Sequence, residues 1–155
     1  MLELLAPAGS MDALRAAVQN GADAVYLGVG TFNARQSAKN FTVDSLQEAL
    51  RYCHVRGVQV HLNTLVTDRE IQPVRELIRA AAQAGVDAFI VQDLGVVQLC
   101  RQIAPQVSIH GSTQLTVHSL AGVQMCAAMG MDRVVLSREL NRQEIAYICA
   151  NSPIE

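Results

Sequence analysis

Three short polar phrases in this chain carry groups suited to holding and protonating a ligand: Gln92-Asp93, His110-Gly111-Ser112-Thr113-Gln114 and Ser137-Arg138-Glu139. Imidazole and carboxylate side chains move protons, and a guanidinium forks onto carboxylate or phosphate. His110, Asp93, Arg138 and Glu139 are therefore the candidate catalytic groups. Arg35, Asn63, Gln92, Ser112, Thr113 and Gln114 are the candidates for binding a substrate. Competing roles are built into the same residue types. Asp93, Ser112 and Thr113 can cap a following helix, and Arg138 with Glu139 can form a local ion pair.

Two familiar engines do not assemble. A Ser112, His110 and Asp93 set has no G-x-S-x-G elbow, and a serine two residues from a histidine need not bond it. No H-E-x-x-H or comparable cluster offers a zinc site, so no metal ligand is assigned. Cys53, Cys100, Cys126 and Cys149 lie far apart, with no C-x-x-C, each expected on the apolar stripe of a helix. His54 and His118 are expected on helices, in structural roles. Phe32 and Phe41 are the aromatics read as able to stack a base. What remains is a set of donors and acceptors for a polar, planar or anionic substrate.

The candidates share one position relative to the elements around them. A phrase recurs before three apolar runs: Gln19-Asn20-Gly21-Ala22-Asp23-Ala24, Gln83-Ala84-Gly85-Val86-Asp87-Ala88 and Ala128-Met129-Gly130-Met131-Asp132-Arg133. Each reads as a helix ending on a left-handed glycine and turning into a buried strand. Arg56-Gly57-Val58-Gln59 is a looser copy. Strands are expected near 3–6, 24–28, 58–62, 88–92, 107–110 and 133–137, with a helix after each. Ser10, Thr42 and Asn141 are placed to cap helices, and Thr67 with Glu70 has the capping-box spacing, provided Pro73 falls at a late start. Leu46, Ala49, Leu50 and Cys53, then Val74, Ile78 and Ala81, then Val96, Val97, Cys100 and Ile103 are spaced as buried helix faces, and Ile145, Ile148 and Cys149 as another.

Short apolar strands alternating with amphipathic helices imply an α/β fold with a parallel sheet. The turn Ala6-Pro7-Ala8-Gly9-Ser10 lacks a dinucleotide fingerprint. A TIM-barrel-like (β/α) architecture is therefore favoured over a doubly wound sheet, with six of eight units present. Residues 1–155 read as a single truncated barrel segment. Its polar phrases all follow strand C-terminal ends, where such barrels place their sites. The first and sixth strands would be open edges, which implies a homo-oligomer.

Half of the residues are apolar, and the formal net charge is -2 with a pI near 6.1, so bulk charge advertises neither nucleic acid nor an anionic membrane. The N-terminus has no secretory pattern, and no apolar run reaches membrane-spanning length. A cytoplasmic protein without a membrane partner is expected.

Six motifs in register carry a resemblance. Glu3-Leu4-Leu5-Ala6-Pro7-Ala8-Gly9-Ser10, Gly21-Ala22-Asp23-Ala24-Val25-Tyr26-Leu27-Gly28, Asn63-Thr64-Leu65, Val91-Gln92-Asp93-Leu94-Gly95, His110-Gly111-Ser112-Thr113-Gln114 and Val135-Leu136-Ser137-Arg138-Glu139-Leu140 resemble the collagenase-like peptidase U-32 family. The resemblance implies either a peptidase or an iron–sulfur-dependent hydroxylation enzyme acting on RNA pyrimidines or a quinone ring. Partners would then be RNA, a small ring or a peptide. In the hydroxylation group a [4Fe–4S] cluster is held by cysteines downstream of such a barrel. No cysteine here matches them, so this segment is expected to carry no cluster and to be inactive alone. A noncatalytic unit that self-associates through its open edges is the further alternative.

Overall fold

A computed structural model of the chain describes residues 3–30, 41–64 and 68–155. Six parallel strands form one sheet in chain order, β1 to β6. They are β1 (Leu5–Pro7), β2 (Ala24–Leu27), β3 (Gln59–Thr64), β4 (Ala88–Val91), β5 (Ser108–Gly111) and β6 (Arg133–Val134). The helices are α1 (Met11–Gln19), α2 (Val43–His54), α3 (Ile71–Ala84), α4 (Leu94–Ile103), α5 (Leu120–Ala128) and α6 (Arg142–Asn151). The sheet curls into an incomplete barrel with the helices outside. Among the described residues no helix is long and apolar enough to cross a membrane.

Strand alternation decides which side chains face the helices and which face the barrel axis. Val25, Leu27, Val60, Leu62, Phe89, Val91 and Ile109 are buried with Leu14, Leu46, Leu50, Val74, Ile78, Val97 and Cys100. Each such aliphatic side chain contributes about 1.5–3 kcal/mol, so the helix layer carries most of the stability. Phe41 is also in this core, 4% exposed. It therefore offers no face to a base, contrary to expectation. The α6 stripe is the exception: Ile148 is buried, while Ile145 and Cys149 are exposed. This helix packs against α5 at one end of the layer, and a helix with one neighbour buries a narrower face.

The caps follow the local sequence. Ser10, Thr42 and Asn141 accept from the first-turn amides of α1, α2 and α6, Thr42 boxed by Ser45 and Asn141 by Glu144. A 3-10 turn over Asp68–Glu70 precedes α3, so Pro73 falls in the first turn, where its missing N–H costs nothing. Thr67 lies outside the described residues. His118 precedes α5 instead of lying on it; His54 closes α2 and reaches the Asp87 carboxylate at 2.9 Å.

The recurring glycines adopt the expected left-handed geometry: φ is 86° at Gly21, 92° at Gly85 and 87° at Gly130. The aspartate two residues later does more than turn the chain. Asp23, Asp87 and Asp132 each donate a backbone N–H to the neighbouring strand's carbonyl, at Leu4, Val60 and Ile109 (3.0, 3.1 and 2.9 Å). Each carboxylate accepts the N–H of that same residue, at 2.8, 2.7 and 2.8 Å. Three identical clasps thus join β1 to β2, β3 to β4 and β5 to β6.

The edges differ from each other. Among the described strands, β1 is hydrogen-bonded to β2 alone. Along β6, Val134 donates to the Glu155 carbonyl and the Glu155 N–H donates to Asp132, the pattern of a parallel ladder. Arg133, facing inward from β6, forks onto Glu3 ahead of β1 at 2.7 and 3.1 Å and reaches Glu155 at 2.7 Å. Side chains therefore tie the first and last strands together at the N-terminal mouth.

Candidate functional site

Strand register sorts the axis-facing residues into rows. Tyr26, His61, Ala88 and Ser108 form one row. Asn63, Ile90, His110 and Arg133 form the next. Two residues further on, the same face carries Gln92, Ser112 and Val135. The upper rows open into a cavity of about 350 Å³ at the strand C-terminal ends, lined by Leu5, Tyr26, Asn63, Ile90, Ser112, Thr113, Gln114, Val135 and Arg138. The floor is largely apolar and the rim polar.

The rim is shaped by β5 and the turn beyond its end. Gly111 faces the helix layer, where a Cβ would meet Leu115, Met131 and Val134 side chains at 3.0–3.3 Å, so any larger residue would force those side chains to give by a few tenths of an ångström. Ser112 accepts from the Gln114 amide at 3.3 Å and starts a 3-10 turn over Thr113–Leu115. Thr116 ends the turn at φ 58°, a left-handed conformation that costs a β-branched residue about 1–2 kcal/mol. The fold thereby turns Thr113 and Gln114 toward the cavity.

The candidate site residues separate into distinct places. Asn63, Ser112, Thr113, Gln114 and Arg138 come together around the cavity. Gln92 stands above Ile90 on the same face. Asp93 caps α4, accepting from Gly95 and Val96 at 2.8 and 3.1 Å. Glu139 accepts from the Ser137 hydroxyl at 2.6 Å, which holds its carboxyl below the usual range, and faces His118 at 4.0 Å. It forms no ion pair with Arg138 among the described residues. Arg35 lies outside them, as does Phe32. Tyr26, whose place inside an apolar strand gives no sign of a site role, supplies the aromatic side chain of the cavity.

His110 lies one row below the rim and lines a second cavity, of about 280 Å³ at the N-terminal mouth, with Gln59, Ser108, Asp132, Arg133 and Glu155. Its ring meets that of His61 edge to face, centroids 4.8 Å apart. His61 is fully buried and His110 is 7% exposed. Burial, then the His61 and Arg133 charges, push His110 down to about 4, against the pull of Glu3 and Asp132. Burial lowers His61 as well. Both rings are neutral at neutral pH and bind protons weakly. The Ser108 hydroxyl lies 3.1 Å from His110 Nε2 and 3.2 Å from the Asp132 carboxylate. The serine therefore bridges acid and imidazole, whereas a hydrolytic triad places the imidazole between them.

Four buried side-chain atoms have no hydrogen-bond partner among the described residues: His61 Nδ1, Asn63 Oδ1, Gln92 Oε1 and Arg133 Nε. All four belong to the axis-facing rows. Each such atom costs about 1–3 kcal/mol, so the barrel interior pays for polarity that its packing does not use.

No group of three His, Cys, Asp or Glu among the described residues is arranged to hold a metal. The cysteines do not fit an iron–sulfur cluster. Cys53, Cys100 and Cys126 are buried on three different helices and Cys149 is exposed on a fourth. Burial pushes the Cys53 thiol up to about 11 and Cys100 to about 12, away from the thiolate a cluster requires.

The family model of Peptidase family U32 matches residues 9–155. The chain is 35% identical to the tRNA hydroxylation protein P1 of Bacillus subtilis over 99% of its own length and 37% of the relative's. It is 39% identical to an uncharacterized protease of Methanocaldococcus jannaschii over 97% and 37%. It is 38% identical to the 23S rRNA 5-hydroxycytidine C2501 synthase of Escherichia coli over 95% and 22%. The chain thus spans between about a fifth and two-fifths of the curated relatives it matches. Among solved structures, a U32 peptidase superposes with a TM-score of 0.80 at 16% identity, covering 100% of this chain and 67% of that one. An aldolase superposes at 0.64 and 18%, covering 88% and 68%. These likenesses establish the barrel-type fold.

Proposed function

The chain belongs to peptidase family U32, and from that premise we propose that it is the substrate-positioning barrel of an enzyme that hydroxylates a pyrimidine in RNA. The observation that carries this reading is the upper cavity, where apolar Leu5, Ile90 and Val135 and the ring of Tyr26 lie beneath a rim of amide, hydroxyl and guanidinium groups. That combination suits a flat heterocycle carrying a phosphorylated sugar. Relatives named for tRNA hydroxylation and for 5-hydroxycytidine synthesis support it. The work of this chain is to bind and orient. Arg138 meets the anionic backbone, and Ser112, Thr113 and Gln114 meet sugar and base edges. The resemblance implies an iron–sulfur cluster as the source of oxidising chemistry, but the cysteines present do not fit one. A cytoplasmic place of work, beside tRNA and ribosomal RNA, belongs to the same reading.

A peptidase reading is favoured by the protease name of one relative. The bridging position of Ser108 and the weak basicity of His110 argue against hydrolysis at the Ser108–His110 contact. Self-association through the outer edge of β1 is a separable proposal; a monomer at every concentration in sedimentation removes it. The main reading is tested by a mass-spectrometric census of modified nucleosides in total RNA, with and without the gene. Loss of one hydroxylated pyrimidine is expected. An unchanged census overturns it.

A further inference from the structure

Two of the four unpartnered atoms, Asn63 Oδ1 and Gln92 Oε1, sit on β3 and just past the end of β4, and Asn63 lines the upper cavity rather than the lower one. Asn63 shares a row with Ile90 and lines the cavity with it and with Tyr26. Gln92 follows Ile90 on the same face, one row nearer the rim. We infer that Asn63, backed by Gln92, reads the edge of a single extruded pyrimidine base and so determines specificity. This rests on the proposed function and names the contact that selects the base.

The chemistry is that of the side-chain amide, which offers one acceptor and two donor hydrogens on a single plane. The Watson–Crick edge of uracil sets an N3–H donor beside the O4 acceptor. That of cytosine sets the N3 acceptor beside the N4 donor. One amide, turned over, answers either. A quinone ring offers acceptors only and leaves an amide carbonyl unanswered. A cavity of about 350 Å³ is near the lower end of small-molecule sites, roughly 300–1,000 Å³. It suits one nucleoside, not a length of folded RNA. Asn63 lies one row below Ser112, out of reach of a base still stacked in a helix, so the base must be turned out to meet it. Arg138, on the rim, is then placed for the phosphate that remains outside.

Titration calorimetry on the protein with uridine, cytidine and adenosine 5′-monophosphates and ribose 5-phosphate tests this. Both pyrimidine nucleotides are expected to bind about tenfold or more tighter than ribose 5-phosphate, the equivalent of one or two hydrogen bonds, and tighter than the adenosine nucleotide. Asn63→Ala and the isosteric Asn63→Asp are each expected to erase the pyrimidine preference while ribose 5-phosphate binding persists, which shows that the rim still folds. A wild-type protein that binds ribose 5-phosphate as well as the pyrimidine nucleotides, that prefers adenosine, or that binds no nucleotide overturns the inference. So does a preference unchanged in both variants. A hydroxylated pyrimidine lost from the RNA census together with an unchanged preference in Asn63→Ala sinks the Asn63 assignment alone. A preference abolished in the variants with an unaltered census sinks the hydroxylation reading alone.

Discussion

His61 on β3 and His110 on β5 meet with their ring planes at 89°, reaching across β4, which offers only Ala88 in the His61 row. Both rings are shielded from solvent, and the charged and polar groups around them come from several strands. Glu3 precedes β1, Gln59 and His61 lie on β3, Asp87 precedes β4, Ser108 lies on β5, and Asp132 and Arg133 open β6. The pair is an uncharged plug in the barrel interior, at the lower cavity that His110 lines.

Acid should loosen that plug in a defined window. Unfolded, His110 binds its proton near pH 6.5; folded, only near pH 4. The unfolded chain therefore takes up protons first as pH falls, and stability is lost between those values. At pH 5 the loss from His110 amounts to about 2 kcal/mol relative to pH 7, with His61 adding in the same direction. Glu3 and Asp132, whose carboxyls are held low, lose their contribution only below about pH 4. Urea unfolding at pH 7 and pH 5, for the wild type and His110→Asn, checks this. A wild type equally stable at both values contradicts it.

The three aspartate clasps should rank by the bonds each carboxylate accepts. Asp132 takes Ile109 N–H, the Ser108 hydroxyl and the Arg101 guanidinium; Asp87 takes Val60 N–H and His54; Asp23 takes Leu4 N–H. Alanine at Asp132 is expected to cost most, at Asp87 about 1.5–3 kcal/mol, and at Asp23 least. Denaturation of the three variants in parallel measures the order, and a reversed order removes the clasp as a stabilising device.

Much of this is legible in the residues alone. Helix faces such as Leu46, Leu50 and Cys53, the glycine turns and the strand order come from periodicity and local chemistry. So does the gathering of Asn63, Ser112, Thr113, Gln114 and Arg138 at one end. The level of His110 along the axis is not, because the pleat alternation gives its face but not how far the 3-10 turn after Ser112 carries the rim above it. Tyr26 stays hidden since an aromatic residue inside an apolar run reads as core. The clasps escape a linear reading because a carboxylate reaching sideways to the next strand leaves no local pattern.

Arg138 and Asp93 should fail differently. Arg138 lies on the rim, outside the packed core, so Arg138→Ala is expected to leave stability within about 0.5 kcal/mol and to abolish RNA hydroxylation in cells. Asp93→Ala removes an N-cap and should cost about 1 kcal/mol. Thermal unfolding alongside the nucleoside census separates the two, and normal hydroxylation with Arg138→Ala contradicts its place in the site.

Thr116 holds strain at the rim. Thr116→Gly relieves the left-handed penalty and is expected to stabilise the fold by up to about 1 kcal/mol, after allowing for glycine's greater freedom when unfolded. Weaker nucleotide binding should accompany it, since Thr113 and Gln114 are then less firmly presented. A destabilised variant shows that the hydroxyl bond to the Gln114 carbonyl at 3.3 Å outweighs the strain.

The clasps do not occur at every strand boundary. Where β3 meets β2, Gln59 stands in place of an aspartate and its N–H donates to the Asp23 carbonyl with no carboxylate reply. The clasps are thus confined to three of the five strand boundaries, while the β2–β3 and β4–β5 ladders hold by backbone pairing of four residues each. Local opening should start at the shorter outer ladders, β1–β2 and β5–β6, which pair three and two residues, and leave β2 to β5 in place. The His61–His110 contact and the amide of Asn63 lie within that inner part. The polar side chains of the barrel interior are therefore carried by the strands that open last.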